Sequence, residues 1–388
     1  MNTSTVTSLF FILEHAFSFL RQLLLRLSRL SEAGTKPSGE KAPPPTKRGI
    51  EGITENLRQV LEANMDEAPA RRWAREAFKD IQLGIDHCLL KNALEVDGVR
   101  MEESYEANSR GVDIFSKIWL PKGGTSVMKA VVCYCHGYGD TCSFLFEGVA
   151  CRLASFGYGV LAMDYPGFGL SEGLHGYIPS FDGLVDDVME HYSKIKEKEG
   201  YRDKPFFLFG QSMGGAIALR MHLKQPYAWA GAILVAPLCR FGDDMLPPKM
   251  VKLILIGLAK VFPRQKLVPQ RDMTDMGCRD SKKKKLAPYN VVAYTDNPRL
   301  GTALELLRMT QQMEGELEQV SLPMLILHGE ADVVTDPSVS KALYQKARSS
   351  DKELCLYKDA YHSLLEGEPD ATILKVLEDI LSWLEKRC

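Results

Sequence analysis

The pattern of hydrophobic and polar positions changes near residue 110, where short apolar runs begin to alternate with segments of helical spacing. Such apolar runs are typical of strands buried on both faces, and strands alternating with helices imply right-handed crossovers and a parallel sheet. The sequence therefore predicts an α/β fold with a mostly parallel central sheet flanked by helices. The predicted strands are Val112–Trp119, Ala130–Cys135, Gly159–Met163, Phe206–Phe209, Ala232–Val235, Met324–Leu327 and Glu353–Tyr357, with Phe146–Phe156 and Phe181–Lys198 among the helices between them.

The part of the chain before the sheet has a different pattern. Residues 9–30 are apolar and then rich in Leu and Arg at helical spacing, which predicts an amphipathic helix. Glu14 and Arg21 interrupt the apolar stretch, so a transmembrane helix is not expected. Residues 31–49 predict a linker, and residues 50–95 predict a helical extension with a break at Pro69.

Residues 1–49 are therefore expected to be a targeting segment, or a membrane-associated helix, followed by a linker. Their arginines follow the apolar part, whereas a secretory signal places its positive charge first. Residues 1–50 hold seven Lys/Arg against three Asp/Glu. A plastid transit peptide fits this excess, and so does a helix that holds a cytoplasmic protein on an anionic membrane surface.

Composition narrows the classes of function. The chain has 388 residues, of which 45% are hydrophobic and 25% are charged, as expected for a large globular core. The net charge of −2 provides no basic field to hold nucleic acid. The nine cysteines are scattered, without a C-x-x-C pair or a Cys/His cluster. We expect reduced thiols, no metal site and no cofactor.

A serine pattern follows the predicted strand Phe206–Phe209. Gly210-Gln211-Ser212-Met213-Gly214 matches G-x-S-x-G and opens a predicted helix. A sharp turn from strand to helix exposes the serine hydroxyl, and small flanking residues let the backbone pass. A glycine-rich turn with a helix-capping serine would have the same residues. The strand before the pattern and the helix after it favour Ser212 as a nucleophile.

A serine nucleophile needs a base and an acid, which in this type of fold follow it in the order acid, then histidine. Asp332 and His362 follow the last two predicted strands. His362 would take the hydroxyl proton, and Asp332 would hold the imidazole tautomer. Asp336 and Asp359 are alternative acids. Asp336, however, precedes a proline as at a helix N-terminus, and Asp359 lies only three residues before His362.

An oxyanion hole needs two N–H donors. We expect the backbone N–H of Met213, directly after the nucleophile, and that of Tyr138, in the loop after Ala130–Cys135. His136 begins the same loop and is expected to shape it. Asp164, at the end of another strand, is expected to be a structural loop residue.

A long insertion interrupts the strand pattern between Pro237 and Pro323. It would follow the sixth sheet strand, where a cap can cover an active site. We therefore predict a core of residues 96–238 and 319–388, with a cap of residues 239–318.

The predicted cap contains an apolar segment, Met250–Phe262, and four consecutive lysines, Lys282–Lys285. The apolar segment favours a channel for an acyl chain, with a buried helix as the alternative. The lysines fit either a basic rim that meets a lipid surface or a solvated run of charge.

Five segments together resemble the plant monoacylglycerol lipase-like hydrolases, a group that includes caffeoylshikimate esterase. They are HGYGD, DYPGFGLSEG, GQSMGG, LILHGEAD and AYHSLLEGEPD, and the likeness covers roughly residues 80–385. The resemblance implies a capped α/β-hydrolase that cleaves carboxylic esters without a metal. It assigns the triad to Ser212, Asp332 and His362, and the oxyanion donors to Tyr138 and Met213.

Some members carry an H-x4-D motif associated with acyltransferase activity, and none of the eight histidines here gives that spacing.

Three hypotheses about function follow. The first is a lipase-type esterase for monoacylglycerols or lysolipids, with membrane contact through residues 9–30 and the cap. The second is an esterase for phenolic esters such as caffeoylshikimate. The third is a non-catalytic binding protein with the same fold.

Overall fold

A computed structural model describes residues 50, 53–94, 98–242, 245–269 and 273–388. The predicted amphipathic helix at 9–30 and the linker at 31–49 lie outside the described residues. The strands are β1 Arg100–Ala107, β2 Asp113–Leu120, β3 Ala130–Cys135, β4 Tyr158–Met163, β5 Phe206–Gln211, β6 Gly231–Val235, β7 Met324–Gly329 and β8 Lys352–Tyr357. The helices are α1 Glu55–Glu62, α2 Ala68–Leu83, α3 Cys88–Leu94, α4 Leu145–Ser155, α5 Phe181–Lys196, α6 Met213–Lys224, α7 Lys249–Val261, α8 Met273–Gly277, α9 Ser281–Lys284, α10 Leu300–Glu316, α11 Pro337–Lys346 and α12 Asp370–Glu385.

The strands form one eight-stranded sheet in the order β1-β2-β4-β3-β5-β6-β7-β8. β2 is antiparallel to both of its neighbours, and the pairs from β4 to β8 are parallel. The predicted α/β-hydrolase fold class is therefore confirmed. Every residue of β3, β5 and β7 is buried, because helices cover both faces of the sheet. The carboxyl ends of these strands therefore meet along one edge, where the site is built.

The sequence pattern missed β1, which is one of the two edge strands of the sheet. Its residues RMEESYEA are all exposed, and charged side chains replace the apolar run that marks a buried strand. Charge on an edge strand also discourages pairing with another chain. Counting β1 makes β6 the sixth strand, and α7 to α10 lie between β6 and β7.

Three helices, α1, α2 and α3, lie within residues 50–95, the range of the predicted extension. The predicted break at Pro69 was misplaced: α1 ends at Glu62, and Pro69 lies in the first turn of α2. Proline is favoured there because the first turn of a helix has no use for its missing N–H donor. Within the ranges described, no helix has the length and apolar character needed to cross a membrane.

A buried arginine binds the extension to the core. Arg71 of α2 is fully buried, and its Nε donates to the carbonyl oxygen of Gly169 at 2.6 Å. Its Nη2 donates to the carbonyl of Ser171 at 2.6 Å, and its Nη1 donates to that of Met65 at 2.9 Å. One guanidinium therefore satisfies three backbone carbonyls that would otherwise be buried without a partner.

We predict that Arg71→Leu lowers the free energy of unfolding by about 3 kcal/mol or more, because each unpaired buried carbonyl costs roughly 1–3 kcal/mol. The midpoint of thermal unfolding should fall by roughly 4 °C or more. Arg348→Leu, which changes an exposed arginine, is the matched control. Equal midpoints for the two variants would contradict this role of Arg71.

Candidate active site

The turn between β5 and α6 holds Ser212 in a strained conformation. Its φ of 52° and ψ of −117° lie in a backbone region that residues other than glycine rarely adopt. The Ser212 N–H donates to Val235 O at 2.9 Å, and the N–H of Leu238 donates to Ser212 O at 2.9 Å. These bonds to β6 and the segment after it hold the turn in place.

The glycines around Ser212 are required by close backbone approach. A Cβ on Gly214 would overlap the carbonyl of Cys135 at the end of β3, and one on Gly210 would overlap the backbone of Gly214. These overlaps explain in this chain why the residues on either side of the serine turn are small.

Three side chains from three strand ends are in contact. The Nε2 atom of His362 lies 3.0 Å from Ser212 Oγ, and its Nδ1 lies 2.7 Å from Asp332 Oδ2. With the ring proton on Nδ1, Nε2 can accept a proton from the serine hydroxyl. The arrangement can therefore activate a hydroxyl as a nucleophile and store its proton on the imidazole.

The carboxylate of Asp332 is buried and accepts hydrogen bonds on both oxygens. Oδ1 accepts the N–H groups of Val334 at 2.7 Å and Thr335 at 3.1 Å. Burial by itself would raise the pKa of Asp332, but His362, His328 and the hydrogen bonds from both rings hold that pKa well below its usual range. Asp332 is therefore ionised beside His362, as a group that stabilises an imidazolium must be.

Two residues of this cluster were missed in the sequence. His328 Nε2 lies 3.1 Å from Asp332 Oδ2, and the hydroxyl of Thr335 lies 2.9 Å from the same oxygen. The Thr335 hydroxyl also lies 3.1 Å from His362 Nδ1. The H-x3-D spacing of His328 and Asp332 was a usable signal for the first contact, whereas nothing in the sequence marked Thr335.

The rival aspartates have other partners. The Asp336 side chain accepts the N–H of Ser338 at 2.8 Å and caps α11, as the Asp-Pro sequence predicted. Asp359 has a φ of 58°, and its carbonyl accepts a hydrogen bond from Arg279 at 2.8 Å.

The loop after β3, residues 136–144, passes beside the nucleophile. A Cβ built on Gly137 would lie 3.5 Å from Ser212 Cβ. Tyr138, one of the two predicted oxyanion donors, is the next residue. The other, Met213, is the first residue of α6, so its N–H has no acceptor within the helix. Both N–H groups therefore belong to backbone adjoining Ser212, and their role in binding an oxyanion stays a prediction.

Buried polar groups hold this loop as the sequence suggested for His136 and Asp164. His136 stacks on Tyr165 with ring centroids 3.8 Å apart, and burial lowers its pKa, which favours the neutral ring. Asp164 Oδ1 accepts the hydroxyl of Thr141 and the N–H of Cys142, both at 2.7 Å. His136 Nδ1 also lies 2.8 Å from Gly137 O, so both side chains contact the loop backbone.

Residues between β6 and β7 cover the same loop. The N–H of Tyr294 donates to Gly139 O at 2.7 Å, and the Asn290 side chain donates to Asp140 Oδ1 at 3.2 Å. Among the residues that the structure describes, no group of three or more His, Cys, Asp or Glu side chains could hold a metal ion.

Comparison with known families finds one match over most of the chain. Residues 126–370 match the Hydrolase_4 family, described as serine aminopeptidase S33. The chain is 36% identical to a caffeoylshikimate esterase of Arabidopsis thaliana over 294 residues, which are 75% of this chain and 87% of that protein. It is 30% identical to a monoglyceride lipase of Homo sapiens over 286 residues, which are 72% and 89% of the two chains.

Solved structures agree on the fold. A soluble variant of the Saccharomyces cerevisiae monoglyceride lipase, in complex with a substrate analog, superposes with a TM-score of 0.65 at 24% identity. The superposition covers 74% of this chain and 95% of the yeast chain. At this identity the likeness concerns the fold.

We predict that Thr335→Val lowers kcat for ester hydrolysis by about ten- to hundredfold, because hydrogen bonds to charged groups are worth roughly 1.5–3 kcal/mol. The steady-state rate on a short soluble ester is the measurement. Thr310→Val is the matched control, since that hydroxyl donates to Leu307 O within α10. An unchanged kcat in Thr335→Val would show that its hydroxyl does not support the acid and base.

Proposed function

Because the chain belongs to the Hydrolase_4 family of α/β-hydrolases, whose relatives of known activity include esterases and lipases, we propose that it cleaves monoacylglycerols or lysolipids through an acyl-enzyme on Ser212. Ester hydrolysis is the activity class that the family supports. The catalytic residues and the lipid substrate are the proposal. The observation that carries it is the continuous contact from Ser212 Oγ through His362 to Asp332.

The proposed reaction has two halves. In the first half, Ser212 Oγ attacks the ester carbonyl carbon while His362 Nε2 takes the hydroxyl proton. The tetrahedral intermediate collapses, His362 returns the proton to the leaving alcohol, and the acyl group stays on Ser212. In the second half, water attacks the acyl-enzyme with His362 again as the base, and the acid is released.

The charge that develops on the carbonyl oxygen needs donors that are already in place. We assign these donors to the backbone N–H groups of Met213 and Tyr138. The N-terminus of α6, where Met213 lies, adds a partial positive charge to this position. Asp332 remains ionised throughout and stabilises the imidazolium.

The apolar surface of the cap supports a lipid substrate. Helix α7 buries Val251, Leu255 and Ala259 on one face. Its other face exposes Met250 at 69% and Leu253 at 62% of their surface. Exposed apolar side chains on a helix inserted between β6 and β7 suit a substrate that is delivered from a lipid phase.

A phenolic ester is the second candidate substrate. It is supported by the 36% identity to a caffeoylshikimate esterase, which exceeds the identity to the human monoglyceride lipase. The two substrate classes share the reaction and differ in both the acyl group and the alcohol, so one panel of esters separates them.

We predict that the wild-type chain hydrolyses monooleoylglycerol with a kcat/KM at least about tenfold above that for caffeoylshikimate, a difference of about 1.4 kcal/mol in transition-state binding. Ser212→Ala should lower kcat on either ester by about 10⁶-fold.

A fluorophosphonate probe that labels the wild type at Ser212 is the direct check on the nucleophile. Absence of both labelling and hydrolysis would support a non-catalytic protein, and the reverse order of substrates would support the phenolic esterase.

We also propose that α7 touches a membrane surface. Lys249 and Lys260 lie near its two ends, and Met250, Leu253 and Val261 are exposed between or beside them. A helix with one buried face, an apolar outer face and lysines at its ends has the composition of an interfacial helix. The predicted helix at 9–30 would add a second contact.

The double variant Met250→Asp and Leu253→Asp is expected to lower binding to phosphatidylcholine–phosphatidylserine vesicles by at least about tenfold, because two apolar side chains no longer enter the lipid. Co-flotation is measured on residues 50–388, so that the segment 9–30 does not contribute. Val127→Asp alters an apolar residue that is exposed at 55% of its surface in the turn before β3, and it is the control. Vesicle binding that is unchanged in the double variant would exclude α7 as the contact.

A further inference from the structure

The loop that carries His362 is bound to the cap along much of its length. We call residues 358–369, between β8 and α12, the histidine loop, and residues 277–280 of the cap the strap. The N–H of Ser363 donates to Gly277 O at 2.9 Å. The N–H groups of Arg279 and Asp280 both donate to Gly367 O, at 3.0 and 2.9 Å. Three backbone hydrogen bonds therefore hold the strap against the histidine loop, one at Ser363 and two at Gly367.

The side chain of Arg279 adds two contacts to the same loop. Its Nη1 donates to the carbonyl of Asp359 at 2.8 Å, and the same nitrogen lies 3.7 Å from Glu368 Oε2. Asp359 has a positive φ of 58°, a conformation that persists only where its surroundings hold it. Arg279 therefore binds the histidine loop near its beginning and near its end.

Glu368 connects this arginine to the residue before the base. Its side chain is fully buried, and its Oε1 accepts the N–H of Tyr361 at 2.7 Å. Within the described part of the chain its Oε2 has no hydrogen-bond partner, and it faces the Arg279 guanidinium. Burial raises the pKa of Glu368, and the neighbouring Arg279 charge opposes that rise. The arginine thus favours the ionised carboxylate, which is the better acceptor for Tyr361 N–H.

The other side of the histidine loop rests on the turn that holds the acid. The N–H of Ala331, the residue before Asp332, donates to Ala360 O at 3.0 Å. The backbone of residues 360–362 is thus held on one side by the turn after β7. On the other side it is held by Glu368 and by the strap. A displacement of about 1 Å in this backbone would move the imidazole out of reach of its partners.

We propose that Arg279 and Glu368 are positioning residues that hold His362 in its reactive place and so make the base depend on the docked strap. This inference rests on the proposed function, since it assumes that His362 is the base. Neither side chain touches Ser212 or the ester. Glu368 acts through the backbone N–H of Tyr361, which precedes the base, and Arg279 acts through Glu368 and through the carbonyl of Asp359. The strap is then a fixed brace of the cap, distinct from α7, which carries the exposed apolar face.

The test uses full-length protein and p-nitrophenyl butyrate, a short soluble ester that does not depend on the identity of the lipid. Arg279→Ala is expected to lower kcat by about ten- to hundredfold and to leave KM within about twofold, because binding of a small ester does not use the base. Arg279→Lys should recover part of the loss, since it keeps a positive charge near Glu368. Arg308→Ala, which changes an exposed arginine of α10, is the matched control and should keep the wild-type kcat.

A double-variant cycle separates positioning from a general loss of stability. Glu368→Gln keeps an acceptor for Tyr361 N–H but removes the charge that faces Arg279. Because Arg279 acts in part through Glu368, the loss of kcat in the double variant should be smaller than the product of the losses in Arg279→Ala and Glu368→Gln. Folding of each variant is confirmed by its thermal unfolding midpoint.

The proposal would be overturned by a folded Arg279→Ala variant with wild-type kcat, by an equal loss in Arg308→Ala, or by losses that multiply in full in the double variant. A loss confined to KM would also overturn it, because the strap would then shape the substrate site. Activity or fluorophosphonate labelling that survives in Ser212→Ala would instead overturn the proposed function. The two failures are therefore distinguishable.

Discussion

The buried carboxylate of Asp332 is the charge on which the arrangement of the site depends. A carboxylate removed from water is costly unless donors surround it, and here two backbone N–H groups, one hydroxyl and two imidazoles approach its oxygens. The groups that stabilise this charge come from the end of β7, from the turn after it and from the histidine loop. Stabilising the charge and aligning His362 with Ser212 are thus results of the same set of contacts.

Much of this site could be predicted from the sequence because its three principal residues each follow a predicted strand: Ser212 and Asp332 follow buried strands, and His362 follows the half-buried β8. Apolar runs located β3 to β8, parallel strands bring their ends to one edge, and chain order then separated His362 from the other histidines that follow strands. The same logic could not find β1, since an exposed edge strand has no apolar run. It also misplaced the break before α2, because proline inside a helix and proline in its first turn give the same local pattern.

The remaining residues were not predictable because their roles come from contacts between distant parts of the chain. Arg71 binds carbonyls about a hundred positions away, and Arg279 binds a loop 80 positions away. Neither has a local spacing that distinguishes it from an ordinary surface arginine. Thr335 lies close to Asp332 in sequence, but its contact with His362 depends on how two loops meet. Such contacts are a property of the packed fold.

The hydrogen bonds of Arg71 also determine how far the protein can be shortened from its N-terminus without loss of support for the site. Its guanidinium supplies donors to the carbonyls of Gly169 and Ser171, which lie outside the extension, in a loop that begins at Asp164. Asp164 in turn holds Thr141 and Cys142 of the loop after β3, which passes beside the nucleophile at Gly137. A shortened protein that starts at the first strand would therefore leave acceptors exposed on the very loop that supports the site. Boundaries for expression or crystallisation should accordingly be chosen upstream of α2, although the sheet itself begins some 30 residues later.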